Sequence, residues 1–144
     1  MNYILDTNVV SELIAVDPDH SVIQWIDSVD PESIFLSVIT IGEIKKGIEK
    51  LPRSKRKERY LTWLEQDLLV RFEKRILLLD SSTLLTWGQL TADLEHAGRP
   101  MPAIDSLLAA SALNTGYTLV TRNTADFESA GILVLNPWET ELKS

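Results

Sequence analysis

The feature that most constrains the fold is a set of five short runs without polar alternation. A run made of apolar, aromatic or β-branched residues is typical of a strand buried on both faces, as in a parallel sheet that helices cover on each side. Segments with helical spacing of apolar residues separate the runs. This alternation predicts βαβ units with right-handed crossovers, and so an α/β fold around a parallel sheet. The predicted strands are Tyr3–Leu5, Ile34–Leu36, Ile76–Leu79, Thr118–Val120 and Ile132–Leu135.

The predicted helices rest on apolar spacing and on the residues at their ends. Leu84–Ala97 stops at Gly98, which suits the position after a helix C-terminus, and Ala103–Leu113 starts beside Pro102, which suits a first turn. The connection between the fourth and fifth strands is short for a crossover between parallel strands. The other predicted helices are Val9–Ile14, Ser21–Val29, Ile41–Leu51 and Arg53–Phe72.

Length and composition indicate an ordinary globular domain. A chain of 144 residues suits one core, and we predict a single domain over residues 1–144. No apolar run approaches the roughly 20 residues of a membrane span, and the N-terminus lacks the basic region and cleavage site of a signal peptide. The absence of cysteine excludes disulfides and thiolate metal sites. We therefore expect a cytoplasmic protein without membrane association.

The charge is distributed unevenly along the chain. The net charge of −7 argues against a dedicated nucleic-acid-binding module, which is usually basic. The segment Lys45–Arg59 nevertheless holds eight of the 14 basic residues and only two of the 21 acidic ones. Such a segment can bind the phosphate backbone of a nucleic acid at one edge of the protein, or it can form a helix face that is exposed to water.

Four acidic residues lie near predicted helix starts: Asp6 after the first strand, Glu43 after the second, Asp105 in the Ala103 helix, and Asp126 after the fourth strand. Helices that follow parallel strands begin at the carboxyl edge of the sheet, where ligands bind. For each acid taken singly, helix capping or a favourable interaction with the helix dipole is the more common explanation. Asp6 suits an N-cap, and Thr40 with Glu43 matches a capping box.

If the four carboxylates meet, their mutual repulsion must be relieved. Two like charges about 4 Å apart repel by roughly 4 kcal/mol at an effective dielectric constant near 20. Such a cluster either takes up protons or binds a cation. A site made of oxygen ligands alone favours a hard ion such as Mg²⁺.

Four sequence blocks carry a family resemblance. ILDTNVVSEL, SVITIGEIKKGIEKL, PAIDSLLAASAL and LVTRNTADF resemble the signature blocks of PIN domains, in particular those of the toxins of bacterial VapBC and FitAB toxin–antitoxin pairs. The resemblance implies a five-stranded parallel sheet in the order 3-2-1-4-5. It also implies an endoribonuclease that needs Mg²⁺ or Mn²⁺, forms a homodimer, and is inhibited by a small antitoxin in a complex that binds operator DNA.

The resemblance also implies roles for individual residues. The acidic site corresponds to Asp6, Glu43, Asp105 and Asp126, with Asp6 and Asp105 as the most direct metal ligands. Asn8, Thr121 and Asn123 correspond to polar supports. Many relatives carry another acid near the position of Asn123, so this chain has one charge fewer for a second metal.

Two lysines and a helix are candidates for contacts with partners. Lys46 and Lys50 lie three and seven residues beyond Glu43, where they can contact the RNA backbone or form salt bridges with Glu43 or Glu49. The half basic, half apolar helix Arg53–Phe72 suits an antitoxin or dimer surface.

Arg122 can contact either a phosphate or an acid. The four tryptophans, interpreted as core or interface anchors, are Trp25, Trp63, Trp87 and Trp138.

Two other functions are compatible with parts of the sequence. A phosphoaspartate phosphatase would use Asp-x-Asp after the first strand, but Asn8 stands at the second position. A receiver domain needs a lysine after a late strand, and the only lysine after the fourth strand is Lys143, at the terminus. A non-catalytic PIN module would use the acidic pocket to bind an antitoxin or nucleic acid. Dinucleotide binding is excluded because no Gly-x-Gly-x-x-Gly motif follows a strand.

Overall fold

The predicted strands all form, although the third and fifth are shorter than predicted. The computed structural model describes residues 1–140, so residues 141–144, including Lys143, lie outside the described part. The exposed Leu78 ends the third strand early. The strands are β1 (Tyr3–Leu5), β2 (Ile34–Ser37), β3 (Ile76–Leu77), β4 (Thr118–Val120) and β5 (Val134–Leu135).

Within residues 1–140 the strands form one parallel sheet in the order β3-β2-β1-β4-β5, which confirms the predicted order. The central strand β1 pairs with β2 and β4, so that Tyr3 lies opposite both Ile34 and Thr118. Strands β2 and β3 lie on one side of β1, and β4 and β5 lie on the other, so the strand order reverses between β1 and β4. Ligands of open α/β sheets bind at the carboxyl ends of strands at such a switch point.

Both faces of the sheet are covered, which explains why the strands lack polar alternation. Leu5 and Val120 point into one core cluster, together with Trp25. Ile4 and Leu119, their neighbours in sequence, point into the cluster on the other face. All four strand residues are fully buried. Trp63 and Trp138 pack partly buried against the first cluster and Trp87 against the second, as expected of anchors.

The helices lie at the predicted places, with differences at several ends. Leu64–Leu68 forms a π-helical turn, so the predicted helix Arg53–Phe72 is divided into segments. Thr124–Ala130 is a 3₁₀-helix, whose steeper rise lets a short connection span β4 to β5. No helix within residues 1–140 has the length and apolar character to cross a membrane. The α-helices are α1 (Thr7–Val10), α2 (His20–Ser28), α3 (Val38–Glu49), α4 (Lys55–Trp63), α5 (Leu69–Arg71), α6 (Ser81–His96) and α7 (Ala103–Thr115).

The predicted capping box at Thr40 and Glu43 is wrong. Helix α3 begins at Val38, and its N-cap is Ser37, whose Oγ accepts a hydrogen bond from the amide of Ile39 at 3.1 Å. A serine that ends the preceding strand reaches the free amides first, so the helix starts earlier than the motif suggests. Glu43 therefore lies in the second turn, where its carboxylate is free of a capping role.

Because Thr40 is not a capping residue, its buried hydroxyl lacks, in the described part of the chain, the partner that a cap would have. Its hydroxyl is fully buried and has no hydrogen-bond partner within residues 1–140. Burying an unpaired hydroxyl costs about 1–3 kcal/mol in protein mutational data. We expect Thr40→Val, which keeps the shape, to raise the free energy of unfolding by about 1 kcal/mol in urea denaturation. A lower free energy of unfolding would contradict the unpaired state of this hydroxyl.

Candidate active site

Asp6 lies at the switch point, immediately after β1. Its amide donates to the carbonyl of Val120 at 2.9 Å, so it begins beside the end of β4. The side chain is 8% exposed. Its Oδ1 accepts from the amide of Thr7 at 2.7 Å and its Oδ2 from the hydroxyl of Thr121 at 2.8 Å. Asp6 is thus the N-cap of α1, and its carboxylate is held in one orientation.

Thr121 organises the polar groups around Asp6. Its fully buried hydroxyl donates to Asp6 and accepts from Asn8 Nδ2 at 3.4 Å and from the amide of Asn123 at 3.1 Å. One donor and two acceptor positions are all that a hydroxyl offers. Asn8 Oδ1 accepts from the amide of Arg122 at 3.3 Å. The structure therefore brings Asn8 and Thr121 together, whereas Asn123 joins the network through its backbone.

Thr7 connects the first two acids, and the sequence analysis missed it. The Thr7 hydroxyl donates to Glu43 Oε1 at 2.8 Å, while its amide donates to Asp6. Glu43 is thereby oriented from a neighbouring helix. The available signal was the position of Thr7 between Asp6 and Asn8, because a residue between two site residues at a helix start is well placed to contact the next helix.

Asp105 is the acid whose pKa is raised by the charges of the other three. It is the third residue of α7, half-buried, at a helix start without a side-chain cap. Burial raises the pKa of Asp105 above its usual value, and the negative charges of Asp6, Asp126 and Glu43 raise it further, in that order. The four predicted acids, drawn from distant parts of the chain, therefore share one electrostatic environment. Asp126 is the exposed member, in the first turn of the 3₁₀-helix Thr124–Ala130.

The donor set has the chemistry of a hard-metal site but is not a closed cage. The four candidate ligands offer carboxylate oxygens, which suit Mg²⁺ or Mn²⁺. Within residues 1–140 no three acidic or histidine side chains are placed to hold one ion together. Mg²⁺ is usually bound through one or two carboxylates, with water and substrate phosphates as its other ligands. The residues present fit that mode of binding.

Comparison with known proteins assigns the family. The family model for the PIN domain matches residues 3–133. The chain belongs to the PIN domain family. Among curated relatives, this PIN domain is 40% identical to the plasmid stability protein StbB of Pseudomonas syringae pathovar tomato, over 94% of this chain and 98% of that protein. It is 36% identical to a VapC ribonuclease of Sinorhizobium fredii and 36% identical to the toxin FitB of Neisseria gonorrhoeae, in both cases over 94% of this chain and 97% of the relative.

Solved structures confirm the fold of this PIN domain. It superposes on FitAB bound to an IR36 DNA fragment with a TM-score of 0.90 and 34% identity, covering 99% of each chain. It superposes on DNA-bound VapBC of Salmonella typhimurium with a TM-score of 0.80 and 30% identity, covering 95% of this chain and 98% of that one. The predicted resemblance to VapC and FitB toxins is therefore confirmed.

The two predicted lysines border the acidic site of the PIN domain. Lys46 and Lys50 line a groove of about 490 Å³ together with Glu43. Neither lysine forms an ion pair within the described residues, because Glu49 pairs instead with Lys45 and Lys57, each at 3.7 Å. The alternative prediction of salt bridges from Lys46 or Lys50 is therefore wrong. Both ammonium groups remain available for an anionic ligand.

Arg122 has a different partner from either one predicted. Its guanidinium lies 5.1 Å from the ring centroid of Trp138, a cation–π contact. It forms no salt bridge within residues 1–140. The side chain thus packs on the segment after β5, while its backbone supports Asn8.

Proposed function

We propose that this PIN domain is a Mg²⁺- or Mn²⁺-dependent endoribonuclease and the toxin of a type II toxin–antitoxin system. The observation that carries the proposal is the position of Asp6 at the switch point of the sheet, where Thr121 and Thr7 hold its carboxylate and Thr7 also binds Glu43. Burial raises the pKa of Asp105, and the charges of Asp6, Asp126 and Glu43 raise it further, which agrees with this placement. A site that holds several negative charges together is suited to a divalent cation. The names of the VapC and FitB relatives support ribonuclease and toxin activity.

Asp6 and Asp105 are the proposed direct ligands. The charge of Asp6 acts on Asp105 more strongly than those of Asp126 and Glu43, which favours this pair. Glu43 and Asp126 would hold the ion directly or through water. The chemistry supplied when the ion is bound is polarisation of a phosphate oxygen and a lowered pKa of a water molecule.

The chain's own residues position these groups. Thr121 and the amide of Thr7 fix both oxygens of Asp6, so that its free lone pairs keep one direction. The hydroxyl of Thr7 does the same for Glu43. Lys46 and Lys50 bind the RNA backbone beside the acids, since a phosphate entering this site must be attracted past several carboxylates.

The proposal includes partners. The FitAB and VapBC neighbours are toxin–antitoxin complexes on DNA, which supports a cognate antitoxin and an operator-bound hetero-oligomer for this chain. We propose a cytoplasmic homodimer that the antitoxin inhibits. The exposed basic face of α4, with the π-helical turn and α5 after it, is the proposed antitoxin or dimer surface.

A non-catalytic binding module is the second candidate function. The observation that favours it is that Asp105 and Asp126 line a common groove, which makes these acids accessible to a partner. An acidic pocket of this kind also suits a basic antitoxin segment. The binding module differs from the ribonuclease in one testable respect, which is that it does not hydrolyse RNA.

RNA cleavage by the purified, partner-free chain distinguishes the two. With total RNA and Mg²⁺ or Mn²⁺ we expect shortened products on a denaturing gel, and no cleavage after EDTA is added, because the carboxylates alone do not polarise phosphate. Restored cleavage after excess metal is the matched control. Metal-independent cleavage would contradict the proposed chemistry. No cleavage with either metal, together with retained antitoxin binding, would favour the binding module.

A further inference from the structure

A second groove borders the acidic site on the side away from Lys46 and Lys50. It has a volume of about 390 Å³ and lies between the α6–α7 loop and the 3₁₀-helix Thr124–Ala130. Two of the four acids face it, and Arg99 is the one cation that lines it within residues 1–140. The lining residues are Arg99, Pro100, Met101, Pro102, Asp105, Asp126 and Ser129.

The two grooves lie on two faces of the same helical turn. Ile104 and Leu107 of α7 line the groove that holds Lys46 and Lys50, whereas Asp105 lines the groove that holds Arg99. Successive residues are about 100° apart around an α-helix, so Asp105 points away from its neighbour Ile104. Glu43 thus lines one groove with Lys46 and Lys50, and Asp105 and Asp126 line the other with Arg99.

The backbone of Arg99 is fixed. Gly98 adopts φ 70°, a left-handed conformation that glycine adopts without strain, and the amide of Arg99 donates to the carbonyl of Leu94 at 2.8 Å. Pro100 follows and restricts the backbone of Arg99 to extended conformations. The backbone conformation of Arg99 is therefore constrained by the residues on both sides of it.

The guanidinium of Arg99 is not used within the described part of the protein. The side chain is exposed, and within residues 1–140 it forms no salt bridge and no hydrogen bond, although Asp105 and Asp126 line the same groove. An arginine that only neutralised these acids would pair with one of them. Its planar fork matches a phosphate, with which it can form two parallel hydrogen bonds.

We propose that Arg99 binds a phosphate of single-stranded RNA, so that the strand crosses the acids between Arg99 on one side and Lys46 and Lys50 on the other. This inference rests on the proposed ribonuclease function and specifies the path of its substrate. Cations that track the backbone on both sides of a reaction site are typical of channels for single-stranded nucleic acid. They also offset the repulsion between the acids and the scissile phosphate.

RNA binding by Arg99→Gln tests the proposal. Binding of a labelled single-stranded RNA oligonucleotide of mixed sequence is measured by fluorescence anisotropy, in an Asp105→Asn background that does not cleave it, at several salt concentrations. We expect Arg99→Gln to weaken binding about tenfold, the loss of one charge-assisted contact. The negative slope of log K against log salt should become shallower by about 0.7, the contribution of one phosphate contact on a single strand.

Lys74→Gln is the matched control, because it removes the same charge from an exposed cation that lines neither groove and lies outside the proposed antitoxin or dimer surface. It should leave both the affinity and the salt slope unchanged. In the cleavage-competent protein, Arg99→Gln should raise KM about tenfold and leave kcat unchanged, since the contact holds substrate and transition state equally. Equal effects of the two variants would show only a general charge effect and overturn the proposal.

Other outcomes separate the phosphate site from the enzymatic activity. RNA affinity and slope that are unchanged by Arg99→Gln would overturn the proposal, as would a loss of antitoxin binding without loss of RNA binding. Absence of RNA binding in every variant would overturn it as well. Failure of the wild-type chain to cleave RNA with any metal, with an Arg99-dependent salt slope retained, would refute the nuclease and leave the phosphate site standing.

Discussion

Replacing Asp105 with asparagine should lower RNA hydrolysis by about a hundredfold or more and raise the thermal stability of the metal-free protein. Loss of a ligand weakens the metal site, and even residues that only support metal ligands cost about 10–100-fold in metal affinity or activity. Stability should rise because the asparagine side chain carries no charge, whereas ionised Asp105 is destabilised by its partial burial and further by the charges of Asp6, Asp126 and Glu43. Opposite changes in activity and stability are the signature of a strained functional site.

The stability difference should depend on pH with a defined sign. The pKa of Asp105 is raised in the folded protein, so the unfolded chain releases this proton at lower pH than the folded one. The cost of ionising Asp105 in the folded protein is therefore fully present above the folded pKa and disappears as the pH falls below the unfolded pKa. Melting curves of the two proteins should differ most near neutral pH and converge in acid.

Divalent metal should reverse the order of the two proteins. Mn²⁺ at about a hundred times its Kd stabilises a folded protein by about 2.7 kcal/mol, so the wild type should gain stability and Asp105→Asn should gain little. Asp27→Asn, which changes an exposed acid of α2, is the matched control and should behave like the wild type. Wild-type cleavage rates in Asp105→Asn would contradict the assigned role.

Thr121→Val should reduce both stability and activity. The substitution keeps the shape and removes a fully buried hydroxyl that makes three hydrogen bonds, leaving Asp6 Oδ2 without its donor and Asn8 Nδ2 without its acceptor. Unpaired buried partners cost about 1–3 kcal/mol, so we expect the free energy of unfolding to fall by about 2 kcal/mol. Activity should fall about 10–100-fold, as when a group that orients a metal ligand is lost. Urea denaturation and RNA cleavage measure the two effects.

Two other variants isolate the hydrogen bonds from the change of side chain. Thr121→Ser retains the hydroxyl and should keep most of the activity. Thr40→Val is the same substitution at an equally buried threonine whose hydroxyl has no partner within residues 1–140, and there we expect a gain in stability. Similar losses in Thr40→Val and Thr121→Val would show that the network around Asp6 is not the cause.

The sequence predicts strand positions and sheet order well because both depend on local pattern and on a specific family resemblance. Strand ends depend on pairing, which a pattern does not contain. Leu78 and Leu79 continue the apolar run of β3, but β3 is an edge strand that pairs with β2 alone, through Ile76 and Leu77. The start of α3 was likewise decided by Ser37, outside the motif that suggested a capping box.

The candidate site was predicted as a set of charged residues, and what escaped prediction are the uncharged or isolated ones. Thr7 orients Glu43 across 36 positions of sequence, a contact that no local spacing reveals. Arg99 lies outside the basic segment Lys45–Arg59, and only the structure shows that it lines one groove with both Asp105 and Asp126. The acids were predicted because the four sequence blocks that resemble those of the family carry them, and their catalytic role stays a prediction.

The hydrogen bond between Asp6 and Thr121 joins residues 115 positions apart. During synthesis, the first half of the site leaves the ribosome long before its supporting hydroxyl has been made. Contacts of such large sequence separation form late, because the loop between them must close first. A nascent or prematurely terminated chain that ends before residue 121 therefore lacks the hydroxyl that orients Asp6, and it also lacks Asp126.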